Sequence, residues 1–282
     1  MRKNITLTLL CLGFSVVMLF AGCATQKSPA SPSTQDTQTV EVNKNIVKDI
    51  KARGQLVVGC KTDVPNLGWY ESDTDRWEGL EVDLAYATAA KIFDKTVEEV
   101  KAEGLVKLVP VTVADREEKL QDGSIDIMMA TFTITDARKQ TYALSDPYYK
   151  SYIGIMVNYN GSDSNSLGTG DIRSLSDLDG KYIGIPRNAT TREDFISYLD
   201  MMNTVKVSPI FSEYDSYPTI YKALKNGNVD AMAVDISILK GYETSSTKIL
   251  DIKFKPQNYG AAVMPQNAPL IDYVNDAIET IK

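Results

Sequence analysis

The chain of 282 residues contains no histidine and only three cysteines. Without histidine it cannot build Ser-His-Asp or Cys-His nucleophile systems, and it lacks the side chain found in most zinc sites. An excess of basic charge is also missing, because 30 Lys and Arg stand against 37 Asp and Glu, a net charge of −7. We therefore expect no catalytic residue, no metal or other cofactor, and no nucleic-acid partner, since nucleic-acid binding needs a basic face.

The composition is otherwise that of an ordinary globular protein, with 43% apolar and 24% charged residues. This length is enough for one or two domains with substantial hydrophobic cores.

Residues 1–22 are typical of a secretory signal. Arg2 and Lys3 precede a largely apolar stretch from Ile5 to Phe20, which is shorter than the roughly 20 residues that span a bilayer. The exit, LFAGC, resembles a bacterial lipoprotein lipobox with Phe20 in place of the usual leucine. The resemblance implies cleavage before Cys23 and a lipid on its sulfur, which would hold the exported protein at the outer face of the cytoplasmic membrane. A plain signal peptide with an incidental cysteine is the alternative.

Cysteine use agrees with this interpretation. Cys11 would leave with the signal and Cys23 would carry lipid, so Cys60 would remain alone and no intrachain disulfide would form. Residues 23–44 would then comprise the lipidated cysteine and a flexible tether rich in Ser, Thr, Gln and Pro.

From about residue 45, helical and strand patterns alternate, which favours an α/β fold. The predicted elements are helices over 46–53, 80–92 and 116–121 and strands over 56–58, 106–113, 125–130 and 152–157.

A unit of the first half recurs in the second, where KLQDGSIDIM is echoed by ALKNGNVDAM. Both patterns predict a helix that ends at a glycine, followed by a polar residue, a β-branched residue and an aspartate, and then a strand. Eight residues beyond Gly123 and Gly227 stand Thr131 and Asp235. Both are expected at the carboxyl ends of equivalent strands, where α/β sheets bind ligands. We therefore predict two related lobes that face a cleft.

Arg138 is the first candidate ligand-binding residue. Thr135 is expected to cap a helix whose first turn contains Arg138, where a cation opposes the helix macrodipole. An anion docked between Arg138 and the helix amides would reverse that effect. A solvated surface arginine is the alternative.

Five segments in order resemble the bacterial extracellular solute-binding proteins of family 3, the polar amino-acid receptors of ABC importers. They are residues 79–84, 130–138, 145–149, 176–181 and 227–235. The resemblance implies a periplasmic-binding-protein-like type II fold, with two α/β lobes that close on one amino acid. Lobe one would comprise residues 45–156 and 255–282 and lobe two residues 157–254, joined by a hinge of two crossings.

The resemblance also implies which residues bind the α-carboxylate and the α-ammonium of the ligand. Arg138 would clamp the α-carboxylate, and Thr133 would donate to the same group. Asp235 would receive the α-ammonium, and Thr190 with Thr191, at a helix start in lobe two, would close over the α-carboxylate.

For the side chain of the ligand, the resemblance is closest to the aspartate/glutamate-binding branch. It implies that Lys61, Arg116 and Thr131 hold a distal carboxylate, which the hydroxyl of Tyr217 also reaches. Ordinary surface charges are the alternative for Lys61 and Arg116.

The sequence departs from the family pattern at two places. Many relatives have an aromatic ring soon after the proline matching Pro65, but here the nearest aromatics are Trp69 and Tyr70. Either could stack on the ligand, or both could pack in the loop. Asn188 and Ala189 stand before Thr190 and Thr191, where many relatives have glycine.

Counting charges favours an acidic ligand. Lys61, Arg116 and Arg138 give three positive charges against one negative charge from Asp235, a balance near +2. A glutamate or aspartate zwitterion carries −1. A neutral amino acid would leave enclosed cations unpaired, at a cost of about 3–5 kcal/mol.

We therefore interpret the chain as a monomeric, non-enzymatic, lipid-anchored receptor that delivers L-glutamate or L-aspartate to an ABC permease. A receptor for glutamine or another polar amino acid is the main alternative. A dehydratase of the same fold acting on a prephenate-like acid, and a surface adhesin or sensor, are two others.

Overall fold

The computed structural model describes residues 41–159, 172–202 and 207–281. The predicted signal segment, Cys23 and the tether up to residue 40 lie outside these ranges. Within them, no helix combines the length and the apolar character that crossing a bilayer requires.

The bounds of the secondary-structure elements are as follows. The helices are α1 Ile46–Arg53, α2 Leu80–Phe93, α3 Val97–Ala102, α4 Arg116–Gln121, α5 Asp136–Thr141, α6 Thr191–Met202, α7 Tyr217–Lys225, α8 Ile236–Leu239 and α9 Leu270–Ile281. The strands are β1 Leu56–Lys61, β2 Asp63–Val64, β3 Gly68–Glu71, β4 Arg76–Glu78, β5 Val106–Val111, β6 Ile127–Met129, β7 Ala143–Leu144, β8 Tyr149–Asn158, β9 Tyr182–Pro186, β10 Ile210–Tyr214, β11 Ala231–Asp235, β12 Thr247–Tyr259 and β13 Ala262–Val263.

The first sheet has the order β5-β1-β6-β13-β7. Strands β5, β1 and β6 are parallel, whereas β13 runs antiparallel to its neighbours β6 and β7. Helices α1, α2 and α9 contribute the fully buried side chains of Ile50, Leu84 and Val274 to one apolar core with this sheet. A small antiparallel sheet, β2-β3-β4, follows β1.

The second sheet has the order β10-β9-β11-β8-β12. Strands β9, β10 and β11 are parallel, and the long strands β8 and β12 are antiparallel partners. The chain passes from β7 of the first sheet to β8 of the second and returns from β12 to β13, so two connections join the sheets. The sheets thus confirm the predicted α/β class, while the residue bounds of the two lobes stay a prediction.

The predicted repeat is present in three dimensions. Gly123 and Gly227 both follow a helix with left-handed φ values of 78° and 73°, which glycine adopts without strain. Three residues further on, Asp126 accepts a hydrogen bond from the backbone N–H of Val57 at 2.8 Å, and Asp230 accepts the equivalent bond from Tyr182 at 2.8 Å. Each aspartate therefore joins its strand to the next strand of its own sheet.

Candidate functional site

A small cavity lies where the carboxyl ends of strands from both sheets meet. Eight of the nine residues predicted to contact a ligand line it, and Lys61 is the exception. The eight are Arg116, Thr131, Thr133 and Arg138 from the first-sheet side and Thr190, Thr191, Tyr217 and Asp235 from the second-sheet side. The remaining wall is Pro186, Ala189, Val234 and Ile238.

Arg138 is positioned by its own helix. The side-chain oxygen of Thr135 accepts from the Arg138 N–H at 3.1 Å, so the predicted cap is confirmed. One guanidinium nitrogen donates to the Thr133 carbonyl at 2.9 Å, and the guanidinium carbon lies 3.7 Å from the centre of the Phe132 ring. Nη2 of Arg138 lies 3.6 Å from Oε1 of Glu117. Burial, and then the charge of Arg116, lower the pKa of Arg138 to about 10.

Arg116 begins α4 and is 2% exposed. Its Nη1 donates to the carbonyl oxygens of Ala130 and Thr131 at 2.5 and 3.2 Å. Its Nε has no hydrogen-bond partner, and within the described ranges no carboxylate oxygen lies within 4.0 Å of the guanidinium. The guanidinium carbon is 5.0 Å from the centre of the Phe132 ring, so both arginines share one aromatic neighbour.

Asp235 ends β11 on the opposite wall and is 8% exposed. The hydroxyl of Tyr259 donates to its carboxylate and lies 3.0 Å from the hydroxyl of Ser237. Burial raises the pKa of Asp235 to about 6, although the Tyr259 bond and the charge of Arg116 act in the opposite direction. The group is therefore a carboxylate at neutral pH that faces the cavity with an unusually high proton affinity.

Gln257, on β12, is a site residue that the sequence analysis missed. It is 1% exposed, and its Nε2 donates to Asp194 at 3.0 Å. Because this bond turns the amide nitrogen toward Asp194, the amide oxygen faces the cavity side and accepts from the hydroxyls of Thr133 at 2.7 Å and Thr190 at 3.1 Å. A hydroxyl has one proton, so in this arrangement the Thr133 side chain offers only lone pairs to a ligand. No pattern around Gln257 distinguished it from other strand residues.

Tyr217 and Thr131 meet across the cavity, with their hydroxyl oxygens 3.4 Å apart. Thr131 has φ = +48°, in the left-handed region that β-branched residues rarely occupy. Such backbone conformations persist where the surroundings enforce them, and they concentrate at functional sites.

Lys61 lies behind the wall instead of on it. Its side chain is fully buried, with Nζ 3.1 Å from Asp63 Oδ1 and 4.6 Å from the centre of the Tyr217 ring. Burial lowers the pKa of Lys61, and the charge of Asp63 opposes that effect. The sequence-based balance of +2 is therefore wrong, because it left out Asp63. The ionisable residues of the wall, Arg116, Arg138 and Asp235, sum to +1.

Direct contacts join the two sides around the cavity. Asn188 has φ = +56°, which asparagine tolerates, and its Nδ2 donates to the Ala114 carbonyl at 2.9 Å. Its own carbonyl accepts from Arg138 at 3.3 Å. Tyr242 donates to the Asp63 carbonyl at 2.7 Å. Neither Trp69 nor Tyr70 is among the residues that line the cavity.

The fold and the cavity define the class, a two-lobed α/β binding protein of the periplasmic type II kind. Residues 56–282 match the sequence model of the bacterial extracellular solute-binding proteins, family 3, and the chain belongs to that family.

Named relatives differ in what they bind. The chain is 28% identical over 262 residues to the glutamine-binding protein of Geobacillus stearothermophilus, covering 91% of each chain. It is 27% identical over 234 residues to the glutamate-binding protein GluB of Corynebacterium efficiens, covering 80% of this chain and 74% of that one. Among solved structures, an ancestral arginine-binding protein bound to arginine superposes with a TM-score of 0.64 at 29% identity, covering 81% of this chain and 92% of that one.

Proposed function

We propose that this chain is the substrate-binding component of an amino-acid ABC importer and that it captures L-glutamate or L-aspartate between its two sides. One observation carries the proposal. Two buried guanidiniums share the Phe132 ring at the cavity wall. Arg116 has no carboxylate oxygen within 4.0 Å in the described ranges, whereas Nη2 of Arg138 lies 3.6 Å from Oε1 of Glu117.

An acidic amino acid supplies one carboxylate for each arginine. Two like charges in a low-dielectric site repel each other, and unpaired buried charges cost about 3–5 kcal/mol. The ionisable residues that line the cavity sum to +1 and an acidic zwitterion carries −1, so the lining and the ligand together would be neutral. A neutral amino acid would leave one guanidinium with only backbone carbonyls as partners.

In the proposed complex, Arg138 binds the α-carboxylate, together with backbone N–H groups at the start of α6, at Thr190 and Thr191. Asp235 receives the α-ammonium. Arg116 binds the distal carboxylate, with Thr131 and Tyr217 beside it. Contact of Lys61 with the ligand stays a prediction. Its Nζ, paired with Asp63, lies 4.6 Å from the centre of the Tyr217 ring, and this contact would support the position of that side chain.

Glutamine is the second candidate ligand. Glu81 Oε2 is a buried acceptor without a hydrogen-bond partner in the described ranges, and it lies behind the wall. If the distal end of the ligand reaches that layer, a carboxamide N–H could donate to it. The name of the glutamine-binding relative also favours this candidate.

Calorimetric titration separates these candidates. We expect L-glutamate or L-aspartate to bind with a Kd at least about tenfold below that of L-glutamine, since one unpaired charge is worth more than 1.4 kcal/mol. Arg138→Met is the control, and it should lose binding of every amino acid. If glutamine binds as tightly as glutamate, the assignment of an acidic ligand is contradicted. If arginine binds most tightly, the assignment of the site to a negatively charged ligand side chain is contradicted.

We further propose that the mature chain is anchored by lipid on Cys23 and presents its ligand to a membrane permease without chemical change. Cys23→Ser should release the exported protein from the membrane fraction. Incubation with glutamate or a prephenate-like acid, followed by NMR, should return each compound intact. Turnover of either compound would replace the receptor assignment by the dehydratase alternative.

A further inference from the structure

Glu81 is a fully buried acid that neither the family resemblance nor the proposed ligand contacts give a role. It is the second residue of α2, and its carboxyl group is 0% exposed and absent from the cavity wall. Its Oε1 accepts two hydrogen bonds of 2.6 Å each, from the backbone N–H of Thr131 and from the hydroxyl of Tyr148. Its Oε2 has no hydrogen-bond partner in the described part of the chain.

These bonds connect Glu81 to Arg116 through a single peptide group. The N–H of Thr131 and the carbonyl of Ala130 belong to the same planar unit. Glu81 accepts from the N–H edge, and Arg116 Nη1 donates to the carbonyl edge at 2.5 Å. Because the peptide unit is planar, the position of the Glu81 carboxyl oxygen fixes the direction of the Ala130 carbonyl to which Arg116 donates.

The same contact explains the backbone of Thr131. With φ = +48°, this residue needs an outside partner to hold its conformation, and the bond from its N–H to Glu81 is buried and short. Its carbonyl also accepts from Arg116, at 3.2 Å. Of the two carbonyls that hold the Arg116 guanidinium, that of Ala130 belongs to the peptide unit that Glu81 bonds, and that of Thr131 belongs to the next unit.

We infer that Glu81 is a positioning residue that aims Arg116 at the distal group of the ligand and so sets the preference for acidic over amide side chains. This inference rests on the proposed function. Tyr148 donates to the same oxygen of Glu81 without contacting the Ala130–Thr131 peptide through any hydrogen bond, so it stabilises the acid but is dispensable for aiming Arg116.

Two substitutions separate geometry from charge. Glu81→Gln keeps an oxygen within reach of the Thr131 N–H but removes the charge, whereas Glu81→Asp keeps the charge but is one methylene too short. The readout is the ratio of the Kd for L-glutamine to the Kd for L-glutamate, measured by calorimetry. We expect Glu81→Asp to lower this ratio by about tenfold or more, as for one lost charge-assisted hydrogen bond, and Glu81→Gln to retain it.

Tyr148→Phe is the matched control, and it should leave the ratio unchanged while lowering thermal stability. If the ratio falls in Glu81→Gln and is unchanged in Glu81→Asp, the charge of Glu81 and not the position of its oxygen sets the preference, and the inference is overturned. Equal weakening of both ligands in both variants would reduce Glu81 to fold support. If Glu81→Asp does not fold, Glu81→Ala takes its place: a ratio lowered by about tenfold supports the inference, and an unchanged ratio overturns it. No preference for glutamate in the unsubstituted protein would instead reject the proposed function.

Discussion

Arg116 differs from an ordinary structural arginine in what surrounds it. Structural buried arginines pair with carboxylates, because an uncompensated charge in the interior is costly. Arg116 is 2% exposed, and among the residues that the structure describes it is hydrogen-bonded only to two backbone carbonyls. Its neighbour Arg138 has its pKa lowered to about 10 by burial and by Arg116 itself. We therefore expect an anionic ligand to stabilise this pair of cations.

Arg116→Met tests the distal contact, because methionine keeps the length and apolar bulk of the side chain without the charge. We expect glutamate to bind about a hundredfold more weakly, equivalent to about 3 kcal/mol, and glutamine to change by less than about tenfold. Calorimetry with both ligands measures the difference. Equal losses of affinity for both ligands would show that Arg116 stabilises the cavity wall and does not discriminate between their side chains.

Asp235 gives binding a predictable pH dependence. Burial raises its pKa to about 6, so the free site takes up a proton below that pH. An ammonium needs the carboxylate form, and binding therefore expels the proton. The Kd should be constant above about pH 7 and rise as the pH falls through 6, approaching about tenfold per unit. The distal carboxylate of glutamate, with a pKa near 4.3, stays ionised at pH 5.5.

Titrations between pH 7.5 and 5.5 check this prediction. Asp235→Asn should bind weakly at every pH and lose the slope. A Kd that is the same at both ends of the range in the unsubstituted protein would show that Asp235 does not hold the ammonium.

At the scale of elements, local signals predicted much of the fold. The helices α1 and α4 have the predicted bounds, because polar residues at their starts and Gly54 or Gly123 just after them mark both ends. The strands β7 and β13, of two residues each, were not predicted. They exist through pairing with each other across more than a hundred residues of sequence, for which no local pattern gives a signal.

The candidate site divides in the same way. Positions after strands and at helix starts were predictable, and eight of the nine line one cavity. The partners of these residues were not, because Asp63, Glu81 and Gln257 act through contacts that only the folded chain creates. Asp63 is the clearest case. It lies only two residues from Lys61, but the sequence does not show that the two side chains form an ion pair, so the charge count left it out.

The loop between β9 and α6 carries a contact that a glycine could not make. Asn188→Gly keeps the left-handed backbone, because glycine adopts φ = +56° freely, and removes only the amide bonded to Ala114. Losing one neutral hydrogen bond across the two sides should weaken glutamate and glutamine alike by about fivefold, equivalent to about 1 kcal/mol. Calorimetry should show the same increase in Kd for both ligands. A larger increase for one of them would show that Asn188 contributes to ligand specificity.

At the scale of the whole molecule, close approach of the two sides depends on Gly241. A Cβ at this position would lie 2.6 Å from Cδ of Pro65, which follows β2 on the other side. Gly241→Ala should therefore hold the sides further apart, giving a larger radius of gyration at saturating glutamate in X-ray scattering and a weaker Kd for every ligand.

Pro65→Ala in the Gly241→Ala background is the matching rescue, because it removes the ring that the new methyl group would meet. Compact scattering and native affinity in the single Gly241→Ala variant would show that the sides do not need this contact to close.

The most direct measurement for the whole account is a crystal structure of the protein with L-glutamate bound. The account predicts the α-carboxylate on Arg138, the ammonium on Asp235 and the side-chain carboxylate on the Arg116 guanidinium, each within hydrogen-bond distance. A bound glutamate whose side-chain carboxylate lies away from Arg116, with that guanidinium still bonded only to Ala130 and Thr131, would contradict it.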